Sequence, residues 1–349
     1  MRVNIVCYED INAWILGKFA RKMHENLTLL GIDSKISKEG DPLYDINHHI
    51  IYVNYNNHPS SIDTLMITHI DDSWKLNLIK KQLELAPMGI SMSKETMVRL
   101  ASFGIPKDRL SYVNPAHDGV IKPRKIIIGI TCMVQNDGRK REIFLNKLAK
   151  ILDPNVFMFK IMGANWDTQV KSLLSSGFEV EYDSEFNYDK YIKLVPSLDY
   201  YLYMGQDEGQ MGFIDALYAG VKTITTPQGY HLDAPGGIYY PFNTYEELVE
   251  VFAKIEKERE DLINSVISWN WLDYTKKHVE IWNYLIAKKD QKEYIIPEKS
   301  SYDDGIFSIF QTDFGTKSDF DSKLELKKLK KEYYYHIFYK IKDKVSFWR

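Results

Sequence analysis

Groups able to do chemistry concentrate in residues 200–233, YYLYMGQDEGQMGFIDALYAGVKTITTPQGYHLD. Asp207 and Glu208 are adjacent carboxylates, Gly209 and Gly212 bracket Gln210 and Met211, and a third carboxylate, Asp215, follows. A turn that opens a helix presents backbone N–H groups and a partial positive charge, so a phosphate fits there. Glycines at 209 and 212 let a ligand approach the backbone. The carboxylates repel a phosphate but accept hydrogen bonds from sugar hydroxyls, and Asp215, read as lying on the first helical turn, can do the same. Such a loop suits a sugar nucleotide. Taken alone, the three acids would pass for capping carboxylates at a helix start. A second polar run, Gln135-Asn136-Asp137-Gly138-Arg139-Lys140-Arg141, is either a solvated charge run or a means of neutralising a diphosphate. A third group is His69 with Asp71 and Asp72, just beyond an apolar run.

The elements that position these groups follow from periodicity. Residues 200–204 are a short apolar run and read as a buried strand, with a helix from Gly212 stopped at Gly220 and a strand over 221–226 ended by Pro227. Upstream, strand and helix alternate. Strands are predicted at 2–8, 49–53, 64–68, 89–93, 109–113, 125–133, 156–162 and 178–180. Helices are predicted at 11–30, 94–103, 142–152, 170–174, 188–194 and 246–263, with a last one from Trp271 carrying Tyr274, His278, Ile281, Trp282 and Leu285. This alternation predicts two parallel-sheet α/β domains. Ligands of such sheets bind beyond the C-terminal strand ends, which is where His69, Asp71 and Asp72 fall. His48, His49 and His58 read as surface or strand-edge histidines.

The stretch Asp215-Ala216-Leu217-Tyr218-Ala219-Gly220-Val221, with Asp207 eight positions before Asp215 and the pair Glu208-Gly209 beside it, resembles the donor motif of retaining GT-B glycosyltransferases. That group includes glycogen synthases, sucrose synthases and many bacterial cell-surface sugar transferases. The order of Gly104-Ile105-Pro106, a strand and a linker near residue 121 is similar to theirs, as is the Ser268-Trp269 opening of the last helix. The resemblance covers roughly residues 1–288. It implies a GT-B fold, two Rossmann-like domains facing a cleft, with an acceptor-side domain at 1–120, a nucleotide-sugar domain at 121–265 and a crossing helix at 266–288. It also implies transfer of a sugar from a nucleotide-diphospho-sugar, with retention and without metal or other cofactor.

Carried onto this chain, the motif makes Asp207 or Glu208 the acid that orients the sugar, with Asp215 on the ribose. Arg139 or Lys140 would hold the diphosphate. Gly209, Gln210, Met211 and Gly212 would meet the donor, joined by Gly163, Gly229 and Asp233, and His69 would contact the donor sugar. Asp71 and Asp72 are either a metal pair or acceptor-side carboxylates, and the second reading is preferred because the fold needs no acidic metal motif.

Composition narrows the remaining choices. The 349 residues suffice for two sizeable cores, and 44% hydrophobic with 27% charged content is that of a soluble globular protein. A net charge of −3 argues against nucleic acid as a partner. Cys7 and Cys132 sit in apolar runs without metal-ligand spacing, which points to a reducing, cytoplasmic setting. No secretory leader or membrane span is read. Residues 289–349 form a linker and a tail expected to be helical. Within it 323–349 holds nine Lys/Arg and three Asp/Glu, hence +6 against −9 for the rest, and an aromatic band. Such a tail suits a membrane surface, placing the protein at the inner face against a lipid-linked or other glycan acceptor, or else a partner protein. Two other functions fit the architecture: a non-catalytic subunit that recruits another transferase, and a sugar-nucleotide epimerase, for which no acid/base set is found. A dinucleotide dehydrogenase is weaker still, since no Gly-x-Gly-x-x-Gly follows a strand.

Overall fold

The structure is a computed structural model, and the residues it describes are 1–55, 61–70 and 72–292. His58, Asp71 and the tail at 323–349 lie outside them. The elements in chain order are β1 (Arg2–Val6), α1 (Ile15–Leu29), β2 (Asp33–Ser37), β3 (Ile46–His49), β4 (Ile62–Ile67), α2 (Ser73–Leu83), β5 (Met88–Ser91), α3 (Lys94–Ser102) and β6 (Leu110–Tyr112). They continue with β7 (Ile126–Ile130), α4 (Ile143–Leu148), β8 (Phe157–Met162), α5 (Asp167–Ser175), β9 (Glu179–Asp183), α6 (Tyr188–Leu194), β10 (Tyr200–Tyr203) and α7 (Met211–Tyr218). The last are β11 (Lys222–Thr225), β12 (Tyr240–Pro241), α8 (Tyr245–Asn264) and α9 (Trp271–Lys289). Among the described residues the chain divides into two compact units, 1–120 with 268–292, and Ile121–Ile267.

Each unit is a Rossmann-like α/β domain on a six-stranded sheet. The first runs β2-β1-β3-β4-β5-β6, the second β12-β11-β10-β7-β8-β9, and every pairing is parallel. Parallel strands covered on both faces tend to become continuous apolar runs, as in β10, whose residues are all buried; β4 is equally buried but carries Asp63 and Thr64. In unit 1, α9 supplies Trp271, Tyr274, Ile281, Trp282 and Leu285 to a core shared with Val3, Ile5, Phe19 and Met23. Asn270 caps α9 by accepting the Asp273 N–H at 2.9 Å. In unit 2 the core is aromatic, with Phe157, Phe159, Trp166, Tyr201, Phe213 and Phe252 each below 2% exposure.

Strand order decides where a ligand can enter. In unit 2, β7 pairs with β10 on one side and β8 on the other, and the chain leaves β7 toward β8 but leaves β10 toward β11, so these two connections run in opposite directions. Ligands of doubly wound sheets bind at such a switch point, beyond the C-terminal strand ends. The loops after β7 and after β10 border it, and these are the two polar runs of the sequence.

Three expectations are corrected. The strand expected at 49–53 lies three residues earlier, at Ile46–His49, so His48 and His49 are fully buried rather than at a surface or edge. The helix expected at 142–152 stays regular only to Leu148. α2 was not foreseen; it presents Leu76, Ile79 and Leu83 to the core, and Asp72 caps it, accepting the Lys75 N–H at 2.7 Å.

Candidate functional site

The loop after β10 is held from beneath by the loop after β7. Lys140, 7% exposed, extends its ammonium to the Tyr203 hydroxyl at 2.6 Å and to Asp207 Oδ2 at 2.7 Å. Asp207 also accepts the Tyr203 O–H at 2.6 Å and the Gly209 N–H at 3.2 Å. Burial alone would raise the Asp207 pKa, but the hydrogen bonds from Lys140, Tyr203 and Gly209 outweigh it and hold the carboxyl below its ordinary value. Tyr203 is pushed up, first by burial and then by its bond to this carboxylate, so its proton stays in place. A buried lysine therefore meets an ionised aspartate beside the switch point.

The basic run is not a solvated patch. Its three members separate by role. Arg139 is exposed, with Nε 3.3 Å from Asp137, while its carbonyl takes the Gln206 N–H at 2.8 Å. Lys140 faces inward as described. Arg141 is a staple: Nε donates to the Met204 carbonyl at 2.5 Å, Nη2 to Thr226 Oγ1 at 2.5 Å and Nη1 to the Asn243 carbonyl. Its φ of 48° lies in the left-handed region, a strained setting that these three bonds hold.

The start of α7 has no side-chain cap and no acidic residue in its first turn. The amides of Met211 and Gly212 thus lie at the positive end of the helix dipole without a built-in carboxylate. Gln210 anchors the turn by donating Nε2–H to the Thr131 carbonyl at 2.9 Å, tying it to the end of β7. Gly212 is required by packing, since a Cβ there would stand 2.3 Å from Thr131 Oγ1 and 2.5 Å from the Tyr201 hydroxyl. Gly209 lies against the Tyr230 ring.

Asp215 departs from expectation. Because the helix begins at Met211, Asp215 is in the second turn, where it accepts the Tyr191 hydroxyl at 2.5 Å and remains exposed. Glu208 is exposed at the loop tip, and its carbonyl accepts the Tyr230 N–H at 3.1 Å. Gly229, at φ +48°, makes that approach possible, because a Cβ would lie 2.1 Å from the Glu208 carbonyl oxygen. Asp233 is exposed on the turn that follows. Gly163 ends β8 against the carbonyl of Cys132.

His231 is not among the site residues expected from the sequence, where the turn that holds it contributes Gly229 and Asp233 instead. It is fully buried, its ring 4.2 Å from that of Phe213, and Nε2 accepts the Gln210 N–H at 3.0 Å. Its partner is 21 residues away, so no local pattern shows the pairing.

The remaining site candidates belong to unit 1. His69 is exposed beyond β4, with Nδ1 3.0 Å from Thr68 Oγ1 and Nε2 2.9 Å from the Lys75 ammonium. Asp72 serves as the α2 cap. No cluster of three His, Cys, Asp or Glu side chains able to hold a metal ion occurs among the described residues. A cavity of about 600 Å³ in unit 2, lined by Arg124, Asp199, Tyr200, Lys222, Glu258 and Arg259, opens at the opposite, N-terminal ends of β7, β10 and β11 and is remote from Asp207. No helix among the described residues is long and apolar enough to cross a membrane.

No protein-family model matches the chain, and no curated protein matches it. Solved structures similar to it include Anabaena HepE in complex with UDP and glucose, at 11% identity and a TM-score of 0.31, covering 84% of this chain and 100% of that one. A glycosyltransferase from Rickettsia africae is similar at 13% identity and a TM-score of 0.32, over 82% of this chain and 98% of that one. The lipopolysaccharide outer core galactosyltransferase WaaB, in its apo form, is similar at 11% identity and a TM-score of 0.30, over 83% and 100%.

Proposed function

We propose that the protein is a glycosyltransferase of GT-B type and that unit 2 holds a nucleotide-diphospho-sugar beyond β7 and β10. The observation that carries this is the buried Lys140 ammonium at the sheet's switch point, one loop away from the uncapped start of α7. A departing nucleoside diphosphate gains negative charge. An ammonium and backbone amides fixed before the reaction stabilise that charge without reorganising. Arg139, exposed on the same loop, adds a second cation. Lys140 is already engaged by Asp207, so the diphosphate competes with this carboxylate. That leaves the exposed Glu208 to orient the sugar hydroxyls, while Asp207 sets the Lys140 position. Asp215, with Tyr191 beside it, would hold a ribose hydroxyl. By the motif resemblance the transfer retains anomeric configuration and needs no metal. The acceptor is a glycan or a lipid-linked glycan met through unit 1, with Asp72 on that side, in cell-surface polysaccharide synthesis, while His69 keeps the donor-sugar role that the motif resemblance implies. The basic tail would hold the protein at the cytoplasmic face of the membrane.

One observation favours a second reading. Lys140 neutralised by its own aspartate would also suit a non-catalytic subunit that recruits an active transferase. A single assay separates the two. The purified full chain is incubated with UDP-, GDP- and dTDP-sugars, with and without glycan acceptors, and released nucleoside diphosphate is measured. Release that disappears in Lys140→Met supports the transferase. A donor that raises the melting temperature without any release supports the partner subunit. Neither binding nor release with any donor refutes both.

A further inference from the structure

His231 joins three segments of unit 2 through one ring. Nε2 takes the Gln210 N–H at 3.0 Å and therefore carries no proton. Nδ1 carries it instead, facing the Thr226 carbonyl at 3.3 Å and Thr225 Oγ1 at 3.2 Å. Only the neutral ring with the proton on Nδ1 satisfies both sides. Phe213 of α7 lies 4.2 Å away, Tyr203 of β10 5.5 Å and Tyr230 of its own turn 5.3 Å, so the ring has no room to flip. Gln210 is the residue before α7, and no side chain of that loop caps the helix.

We propose that His231 is a positioning residue: by accepting the Gln210 N–H as a neutral imidazole, it fixes the loop between β10 and α7 in the geometry that receives the donor diphosphate. This rests on the donor-site reading above. The ring does not meet the ligand; it sets the backbone that does. Protonation would place an N–H against the Gln210 N–H and break the link. Burial lowers the His231 pKa, opposed by the Thr226 carbonyl and the nearby Asp207 charge, so the link holds at neutral pH and fails on acidification. The other titratable groups facing the ring, Tyr203 and Tyr230, are both raised and stay neutral throughout.

The experiment compares wild type, His231→Phe and His231→Gln. Phenylalanine fills the space without an acceptor, whereas glutamine carries an amide oxygen able to take the Gln210 N–H but does not titrate. Two quantities are read on the full chain: hydrogen exchange of the Gln210 amide without ligand, and affinity for UDP, GDP and dTDP between pH 5 and 8. In His231→Phe the Gln210 amide is expected to exchange faster and the preferred nucleotide to bind roughly three- to tenfold more weakly, the size of one lost hydrogen bond. In His231→Gln both are expected to recover. Nucleotide phosphates titrate too, so the decisive pH result is the difference between proteins, with wild type losing affinity on acidification faster than His231→Gln. Faster amide exchange in His231→Phe with unchanged nucleotide affinity overturns the inference alone. Wild type that binds none of the three nucleotides, with its Gln210 amide protected, overturns the donor-site reading and this inference with it.

Discussion

Replacing Asp207 by asparagine separates stability from ligand binding, because Lys140 serves both. Its ammonium lies 2.7 Å from the carboxylate, with side chains 9% and 18% exposed. At an effective dielectric of about 20 the attraction is about 6 kcal/mol before desolvation is subtracted, and breaking such a buried pair costs about 3–5 kcal/mol. Asparagine keeps an acceptor for Lys140 or for the Tyr203 hydroxyl, and the aspartate is not wholly enclosed, so the expected loss is about 2–3 kcal/mol. Urea unfolding measures it. Ligand affinity should move the other way. In D207N, Lys140 has no carboxylate to leave, so a nucleoside diphosphate is expected to bind more tightly. In Lys140→Met it should bind at least about tenfold more weakly, about 1.4 kcal/mol. Calorimetric titration with UDP, GDP and dTDP reads both. The reasoning is refuted if D207N weakens diphosphate binding as strongly as Lys140→Met, since the carboxylate would then be contacting the ligand itself.

Three further outcomes are expected. Gly229→Ala would put a methyl group 2.1 Å from the Glu208 carbonyl at φ +48°, so it is expected to cost roughly 2 kcal/mol or more and to weaken nucleotide binding; an unchanged melting temperature would contradict the contact. In unit 1, burial lowers His278 from 6.5 to about 4 and holds His48 well below its usual range, so both are neutral in the folded state and charge on unfolding. Their stabilisation is complete above pH about 6.5 and is lost as pH falls toward 4. His278 alone should forfeit about 2 kcal/mol between pH 7 and 5, a loss missing from His278→Gln in urea melts. Deleting residues 323–349 is expected to abolish sedimentation with anionic vesicles while leaving nucleotide affinity intact, and unchanged sedimentation would remove the membrane role.

What could be read in the sequence was the repeated pattern of buried strand, polar loop and helix, because parallel strands covered on both faces are mostly apolar. The run at 200–204 and the glycine-punctuated loop after it were visible for that reason. The β3 register was not: Ile50 and Ile51 look more strand-like than two histidines, and only tertiary packing, with His48 set against His278 and Trp282, explains why imidazoles fill a central strand. α2 carries its own signal, an Asp72 cap followed by Leu76, Ile79 and Leu83, but two adjacent aspartates beyond a strand end look equally like ligand groups. Gly212 looks like a helix start and would put Asp215 on the first turn; with Met211 as the first helical residue Asp215 is one position further in, at the start of the second turn. The pairing of Lys140 with Asp207 spans 67 residues and was beyond any local pattern. It turned an acid expected to grip hydroxyls into the counter-ion of a lysine expected to grip phosphate.

The position of the β-phosphate in a complex of the full chain with its preferred nucleoside diphosphate tests the central claim most directly. The expected result is a phosphate within hydrogen-bond distance of Lys140 Nζ and the amides of Met211 and Gly212, with Asp207 turned aside. A diphosphate held instead by Arg124 and Arg259 at the opposite end of the sheet would contradict it.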